Sequence, residues 1–391
     1  MKVVIFGLAI TSSWGNGHAT TYRSLCKALA RRGHHIDFVE KDAEWYRGNR
    51  DMPNPEFCTV HLYSDWQTRS PELLALSKDA DAIVIGSYFP DAIPATRELL
   101  DAGCGPLLFY DIDTPITMGK LRTRGATEYL DSAMIPCYSA YLTFAGGPLL
   151  EEIRNRFGSP AAVPFYCSVD PDLHKPAAAN ARYRCELSYL GTYASDRQPA
   201  LMHMLNEPAA QMPESRFIVA GPMYPRAIPW NRNVKRIIHL SPSEHPSFYC
   251  SSRFTLNLTR RDMVASGYSP SVRLFEAAAC GATILSDWWE GLDEFLTPGR
   301  ELMLVGGAPD VLDILRSMTD AERERIGNAA RERILAHHTS QHRAMEFEEI
   351  VSRCSARGRS SRRTTAGEMK GKDSDLPQGA VPACALPSPQ Q

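Results

Sequence analysis

The residues best suited to chemistry lie in one block, Ser269-Pro270-Ser271-Val272-Arg273-Leu274-Phe275-Glu276-Ala277-Ala278-Ala279-Cys280-Gly281. A turn of small residues there opens a helical run, so free backbone N–H groups and the positive end of a helix dipole face any anion at its start. Arg273 in the first turn is placed to neutralise a diphosphate, and Glu276 to accept two hydrogen bonds from a ribose diol. The same spacing also fits an ordinary amphipathic helix carrying an Arg273–Glu276 surface pair. A second candidate is Gly15-Asn16-Gly17-His18. Its glycines would let a ligand approach the backbone, and His18 at the helix start is suited to general base catalysis, or equally to a plain solvated or capping role. The loop is not a dinucleotide fingerprint, because Thr20 replaces the third glycine and the segment from Ala9 to His18 is too long for the tight turn. A third is Tyr110-Asp111-Ile112-Asp113-Thr114-Pro115, where period-two spacing predicts two carboxylates pointing the same way at the end of a strand. Asp111 and Asp113 are thus candidate catalytic groups or, paired, ligands of a divalent ion; Asp113 or Thr114 before Pro115 is equally a helix N-cap.

The elements that must position these groups read as α/β. Val3-Val4-Ile5-Phe6 is a strand, Thr20 to Arg32 a helix with Tyr22, Leu25, Cys26 and Leu29 on one face, and His35 to Val39 the next strand. Further strands are predicted at 82–85, 107–110 and 141–144, separated by stretches long enough for parallel crossovers. After a Pro- and Ala-rich segment the alternation resumes, with strands at 187–190, 217–220, 236–238, 254–257 and 283–285. The expected organisation is a first Rossmann-like domain over 1–167, a linker over 168–185, a second Rossmann-like domain over 186–335, a C-terminal helix over 336–352, and a disordered basic, Pro-containing tail over 353–391. In that tail seven Lys and Arg face three Asp and Glu.

Composition narrows the function classes. A chain of 391 residues exceeds the size at which one hydrophobic core suffices, and 43% hydrophobic with 23% charged residues is that of an ordinary globular protein. The net charge of −2 provides no global basic field, so nucleic acid is not expected as a partner. The ten cysteines form no C-x-x-C pair, which argues against a zinc or redox motif and fits a reducing cytoplasm. No apolar run is long enough to span a bilayer, and the Val3 to Ile10 run, with no small-residue cleavage site after it, reads as a buried strand.

The second half resembles the GT-B fold glycosyltransferases, and within them the CgeB-like, spore-maturation-type group. The matching strings are Tyr166 to Pro171, Tyr189-Leu190-Gly191-Thr192-Tyr193 with Asp196-Arg197-Gln198, Val219 to Pro222, Thr255 to Arg260, and the block from Ser269 to Gly281. The resemblance spans about residues 1 to 350, more weakly in the first domain. It implies two Rossmann-like domains facing across a cleft and a nucleotide-diphosphate sugar as donor substrate. By it Glu276 takes the donor ribose, Ser271, Val272 and Arg273 surround the diphosphate, and Gly191, Thr192, Arg197 and Arg260 complete the donor side. Gly15, Gly17, His18, Asp111 and Asp113 fall on the acceptor side, with Asp113 or His18 the base if the reaction inverts. The larger retaining family has a second glutamate seven residues before the ribose-binding one, and this chain has Tyr268 there. Neither a metal nor a further cofactor is expected, and the acceptor is open among glycan, protein and small molecule. Alternatives on the same fold are a nucleotide-sugar epimerase or hydrolase, and a non-catalytic carbohydrate-binding or coat-associated protein; a dehydrogenase has only the glycine loop in its favour.

Overall fold

The computed structural model describes residues 1–369, with side chains through residue 357. The first lobe is a seven-stranded, wholly parallel sheet built from β1 (Lys2–Phe6), β2 (His35–Lys41), β3 (Thr59–Tyr63), β4 (Ala82–Gly86), β5 (Leu107–Asp111), β6 (Ala140–Thr143) and β7 (Ala162–Pro164), in the order β3-β2-β1-β4-β5-β6-β7. The second lobe is a parallel sheet of β8 (Cys185–Leu190), β9 (Phe217–Ala220), β10 (Val234–Ile237), β11 (Ser252–Asn257), β12 (Ile284–Ser286) and β13 (Met303–Leu304), ordered β10-β9-β8-β11-β12-β13. Strands such as Ala82-Ile83-Val84-Ile85-Gly86 and Phe217-Ile218-Val219-Ala220 are apolar at every position because helices cover both faces of each sheet.

This two-domain, doubly wound architecture is the expected one, and nearly all expected strands are present. β3, β7 and β13 were not foreseen; they lie at or next to sheet edges and are short or weakly apolar, as in Ala162-Val163-Pro164 and Met303-Leu304. Each sheet reverses its strand order once, between β1 and β4 in the first lobe and between β8 and β11 in the second. In open parallel sheets the crevice beyond the carboxyl ends of the strands at such a switch point is where ligands bind. Here two switch points face each other.

The lobes are joined by two crossings that run side by side. Val169 pairs with Thr339 in an isolated parallel bridge: the Val169 N–H donates to the His338 carbonyl at 3.0 Å and the Ser340 N–H to the Val169 carbonyl at 2.8 Å. After helix Asp320–His337 the second crossing returns the chain to the first lobe. There helix Ser340–Met369 packs on helix Gly17–Arg31, with the Arg32–Glu348 ion pair at 2.7 Å at that helix's end, and meets the segment after β7 through the Phe165–Phe347 ring contact. The C-terminal helix was expected over 336–352. Its start is displaced by the break at the crossing, and helical backbone continues to Met369, with no proline between Ser340 and Leu376 to stop it. The rest of the expected tail lies outside the described residues.

Candidate functional site

A cavity of about 500 Å³ lies between the lobes, at the carboxyl ends of both sheets. Every candidate residue named from the sequence lines it except Asp111. From the first lobe come Gly15, Gly17, His18 and Asp113; from the second come Gly191, Thr192 and Arg197, then Arg260, and then Ser271, Val272, Arg273 and Glu276.

The loop after β1 is built by buried charge. The Glu40 carboxylate, 0% exposed, accepts hydrogen bonds from the N–H of Ile10 at 2.7 Å and of Thr11 at 3.0 Å. Asp51 accepts the Ser13 N–H at 2.8 Å and pairs with both terminal nitrogens of Arg23 at 2.8 and 2.9 Å. This long anchored loop, where a dinucleotide fingerprint would be tight, ends with Asn16 capping helix Gly17–Arg31, its Oδ1 accepting the His18 N–H at 3.0 Å. The capping role is therefore taken by Asn16, and the His18 side chain is free to face Asp113. His18 Nε2 lies 3.9 Å from Asp113 Oδ2, and the His18 ring meets the Tyr88 ring edge-on at 5.3 Å.

The two aspartates do not act as a pair. β5 ends at Asp111, and the chain turns before Asp113, so the period-two expectation that both point one way fails. Asp111 turns inward, is 0% exposed, and accepts hydrogen bonds from Tyr141 Oη at 2.6 Å and Thr117 Oγ1 at 2.9 Å. Burial pushes its carboxyl up to about 6, against the lowering effect of those two hydroxyls. It also accepts the Asp113 N–H at 3.3 Å, so it positions the turn and does not reach the cavity. Asp113 occupies the N-cap position of helix Thr114–Arg124 without a side-chain capping bond and faces the cavity instead. Burial raises its carboxyl, but His18 and the charge of Arg260 outweigh that and hold it below the ordinary value.

In the second lobe the backbone itself shapes the wall. Gly221 adopts φ +135° at the end of β9, and a Cβ there would lie 2.0 Å from the Gly191 carbonyl oxygen, so the loops after β8 and β9 pack together as only glycine permits. Arg273, 9% exposed, is committed to this wall: it donates to the Leu190 carbonyl, to Asn257 Oδ1 at 3.1 Å and to the Leu258 carbonyl at 3.3 Å, and lies over the Tyr189 ring. Its charge sits at the start of helix Val272–Ala279 while its donors clamp β8 to β11, so it is no surface partner of Glu276. Free donor capacity lies elsewhere. Arg197 Nη2 donates to the Thr192 carbonyl at 2.7 Å and its Nε has no partner, while Arg260 faces Asp196 through its Nε. Asp196 keeps Arg260 in place at 3.5 Å.

Glu276 is 4% exposed and closes the inner end of the cavity. Burial raises its carboxyl, but His174 and then His245 outweigh it and keep the group ionised at lower pH than usual. His174 and His245 carried no sequence signal, since they come from segments with no fixed spacing to Glu276.

Tyr268 does not line the cavity. Its N–H donates to the Glu290 carbonyl at 2.6 Å, its carbonyl accepts the Gly146 N–H of the first lobe at 2.9 Å, and its ring fills the space where a Cβ on Gly147 or Gly291 would stand. The position is spent on contact between the lobes. Of the first lobe's large aromatics, Tyr88 lines the cavity, Tyr138, Tyr141 and Trp66 are core, and Trp45 is exposed.

Residues 197–349 match the family model Glyco_trans_1_2, described as glycosyl transferase-like. No curated protein matches the chain in sequence. Among solved structures the chain is similar to a sucrose-phosphate synthase from Thermosynechococcus elongatus, at 14% identity and TM-score 0.67, over 91% of this chain and 99% of that one. It is similar to Anabaena Alr3699/HepE in complex with UDP and glucose, at 12% identity and TM-score 0.67, over 90% and 99%. An alpha-glucosyltransferase in complex with UDP-glucose and DNA containing an abasic site gives 14% identity and TM-score 0.66, over 90% and 99%. The fold is GT-B. No helix among the described residues is long and apolar enough to cross a membrane.

Proposed function

We propose that this enzyme moves a sugar from a nucleotide-diphosphate sugar to an acceptor held by the first lobe, without a metal ion, and that it is of the CgeB-like type. The observation that carries the reading is the convergence, at two facing switch points, of cavity-lining guanidinium groups, a helix N-terminus and a buried carboxylate around one cleft large enough for a nucleotide sugar. Relatives of the same fold hold UDP or UDP-glucose.

In this reading Glu276 accepts the ribose hydroxyls, and its lowered carboxyl is ionised for that purpose. The diphosphate lies against the first turn of helix Val272–Ala279, where Ser271 and Val272 expose backbone groups, and against the cavity-lining guanidinium groups of Arg197 and Arg260. Arg273 holds the strand ends that shape this wall. As the bond between the sugar carbon and phosphate oxygen lengthens, charge grows on the departing phosphate, and fixed donors stabilise it without reorganising, at about 2.7–4 kcal/mol for one donor of this kind. If the reaction inverts, His18 or Asp113 on the opposite wall takes the acceptor proton; the two face each other, with His18 Nε2 3.9 Å from Asp113 Oδ2, so that the charge of one steadies the charge of the other. The acceptor is a glycan, protein or small molecule bound beside Tyr88 and the Gly15–Gly17 turn.

The test is incubation with a panel of nucleotide sugars, with and without candidate acceptors, following nucleotide-diphosphate release. Acceptor-dependent release from one donor supports transfer. Release without acceptor indicates a hydrolase, and binding without turnover a carbohydrate-binding protein.

A further inference from the structure

Three side chains from three separate segments meet behind the inner wall of the cleft. His174 follows the first crossing, His245 begins helix His245–Ser251, and Glu276 belongs to helix Val272–Ala279. Glu276 Oε1 lies 3.5 Å from His174 Nε2 and Oε2 lies 3.3 Å from His245 Nδ1, and one ligand atom from each of the three residues falls within 4.8 Å of the others. These contacts are ion-pair contacts without good hydrogen-bond geometry: both ring nitrogens of His174 and Nδ1 of His245 are buried and lack a well-formed hydrogen bond. His174 is 1% exposed and so out of reach of bulk solvent. Buried polar atoms are almost always paired, and three unpaired imidazole nitrogens around one carboxylate need an explanation.

The spacing provides one. Two ligands on a tetrahedral ion with bonds of about 2.0–2.1 Å stand about 3.3–3.4 Å apart, close to both measured separations; each histidine faces its own carboxylate oxygen, so an ion between them takes both oxygens of Glu276 or one after a small turn of the carboxylate. Two imidazoles and a carboxylate are a zinc-class donor set, and the nitrogen ligands select against magnesium and calcium. His245 and Glu276 border the cavity while His174 does not, so the three ligands approach from the protein side and leave the cleft side open.

The geometry points to a divalent transition-metal site of the zinc class formed by His174, His245 and Glu276, with its open coordination position toward the cleft. The site stands on these ligands alone. One consequence rests on the transferase reading: if Glu276 also receives the donor ribose, metal and nucleotide compete for one carboxylate, and the ion inhibits transfer instead of serving it.

The experiment titrates Zn²⁺ alone into the chelator-treated full chain by calorimetry, and Co²⁺ in parallel for its visible spectrum. The expected result is one zinc per chain and the intense absorption of four-coordinate cobalt, both weakened at least ~100-fold in His174→Gln and His245→Gln. His245 stands at the cavity edge, so its variant keeps the test usable if loss of the buried His174 impairs folding. Absence of stoichiometric zinc binding, or unchanged binding in a folded His245→Gln, overturns the site. A nucleoside diphosphate is then titrated into zinc-free and zinc-loaded protein. At least tenfold weaker binding with zinc supports the shared carboxylate, and equal affinity overturns it. If the zinc-free protein binds no nucleotide, the transferase reading fails while the metal result stands on its own.

Discussion

Removing the guanidinium of Arg197 separates the role given to it from simple packing. In the structure one of its nitrogens donates to the Thr192 carbonyl at 2.7 Å while the side chain lines the cavity, so the guanidinium keeps donors to offer a ligand. A charge-assisted hydrogen bond contributes about 1.5–3 kcal/mol, and each 1.4 kcal/mol is a factor of ten, so Arg197→Ala weakens nucleoside-diphosphate binding by about 10- to 150-fold. The nucleoside without phosphates should bind both proteins within about twofold, because Glu276 and the base-side wall are untouched. Isothermal titration with the nucleoside, monophosphate and diphosphate gives the three affinities. Fold is checked by circular dichroism, since the lost bond to Thr192 tethers one loop and not the core. A loss of equal size for nucleoside and diphosphate, or no loss for either, would refute the placement of the diphosphate beside Arg197.

Further outcomes follow from the same geometry. His18→Ala and Asp113→Asn should each lower kcat by about 10²–10⁴-fold with donor affinity nearly unchanged, measured as turnover and as equilibrium binding separately. Asp111 has a folded-state value of about 6, above its unfolded value near 3.9, so the fold favours its protonated form and loses stability as pH rises from about 4 to 6. The stability of Asp111→Asn relative to the parent should therefore improve by about 2 kcal/mol between pH 4.5 and 7, read from urea unfolding; a pH-independent difference would show that Asp111 does not titrate there. Gly221→Ala should cost about 1–3 kcal/mol of backbone strain and abolish nucleotide binding, seen as a lowered Tm and a flat titration, because its Cβ would strike the Gly191 carbonyl. Chelator should leave the transfer rate intact or raise it, whereas loss of activity would contradict a metal-independent reaction.

How much of this was legible in the sequence depends on whether information was local. Apolar runs such as Val3 to Phe6 and Phe217 to Ala220 declare strands because both faces of a parallel sheet are buried, and the donor-side strings lie near strand ends where the fold places ligands. Edge strands such as Thr59–Tyr63, with a burial pattern from exposed to buried, lack that signature. Asp111 and Asp113 show where spacing misleads: the strand ends between them, and a rule for strands no longer applies past its last residue. Arg273 lines the cavity, but its commitment to Leu190 and Leu258 joins residues more than eighty and about fifteen positions away, which no local pattern encodes. The same holds for His174 and His245 around Glu276, and for Tyr268, whose ring is fixed by glycines from both lobes.

A structure determined with an intact nucleotide sugar is the most direct measurement. The account predicts the ribose on the Glu276 carboxylate, the diphosphate at the start of helix Val272–Ala279 beside Arg197 and Arg260, and the sugar turned toward His18 and Asp113. A nucleotide sugar bound outside the interlobe cleft, or in it with its phosphates away from that helix end, would contradict it.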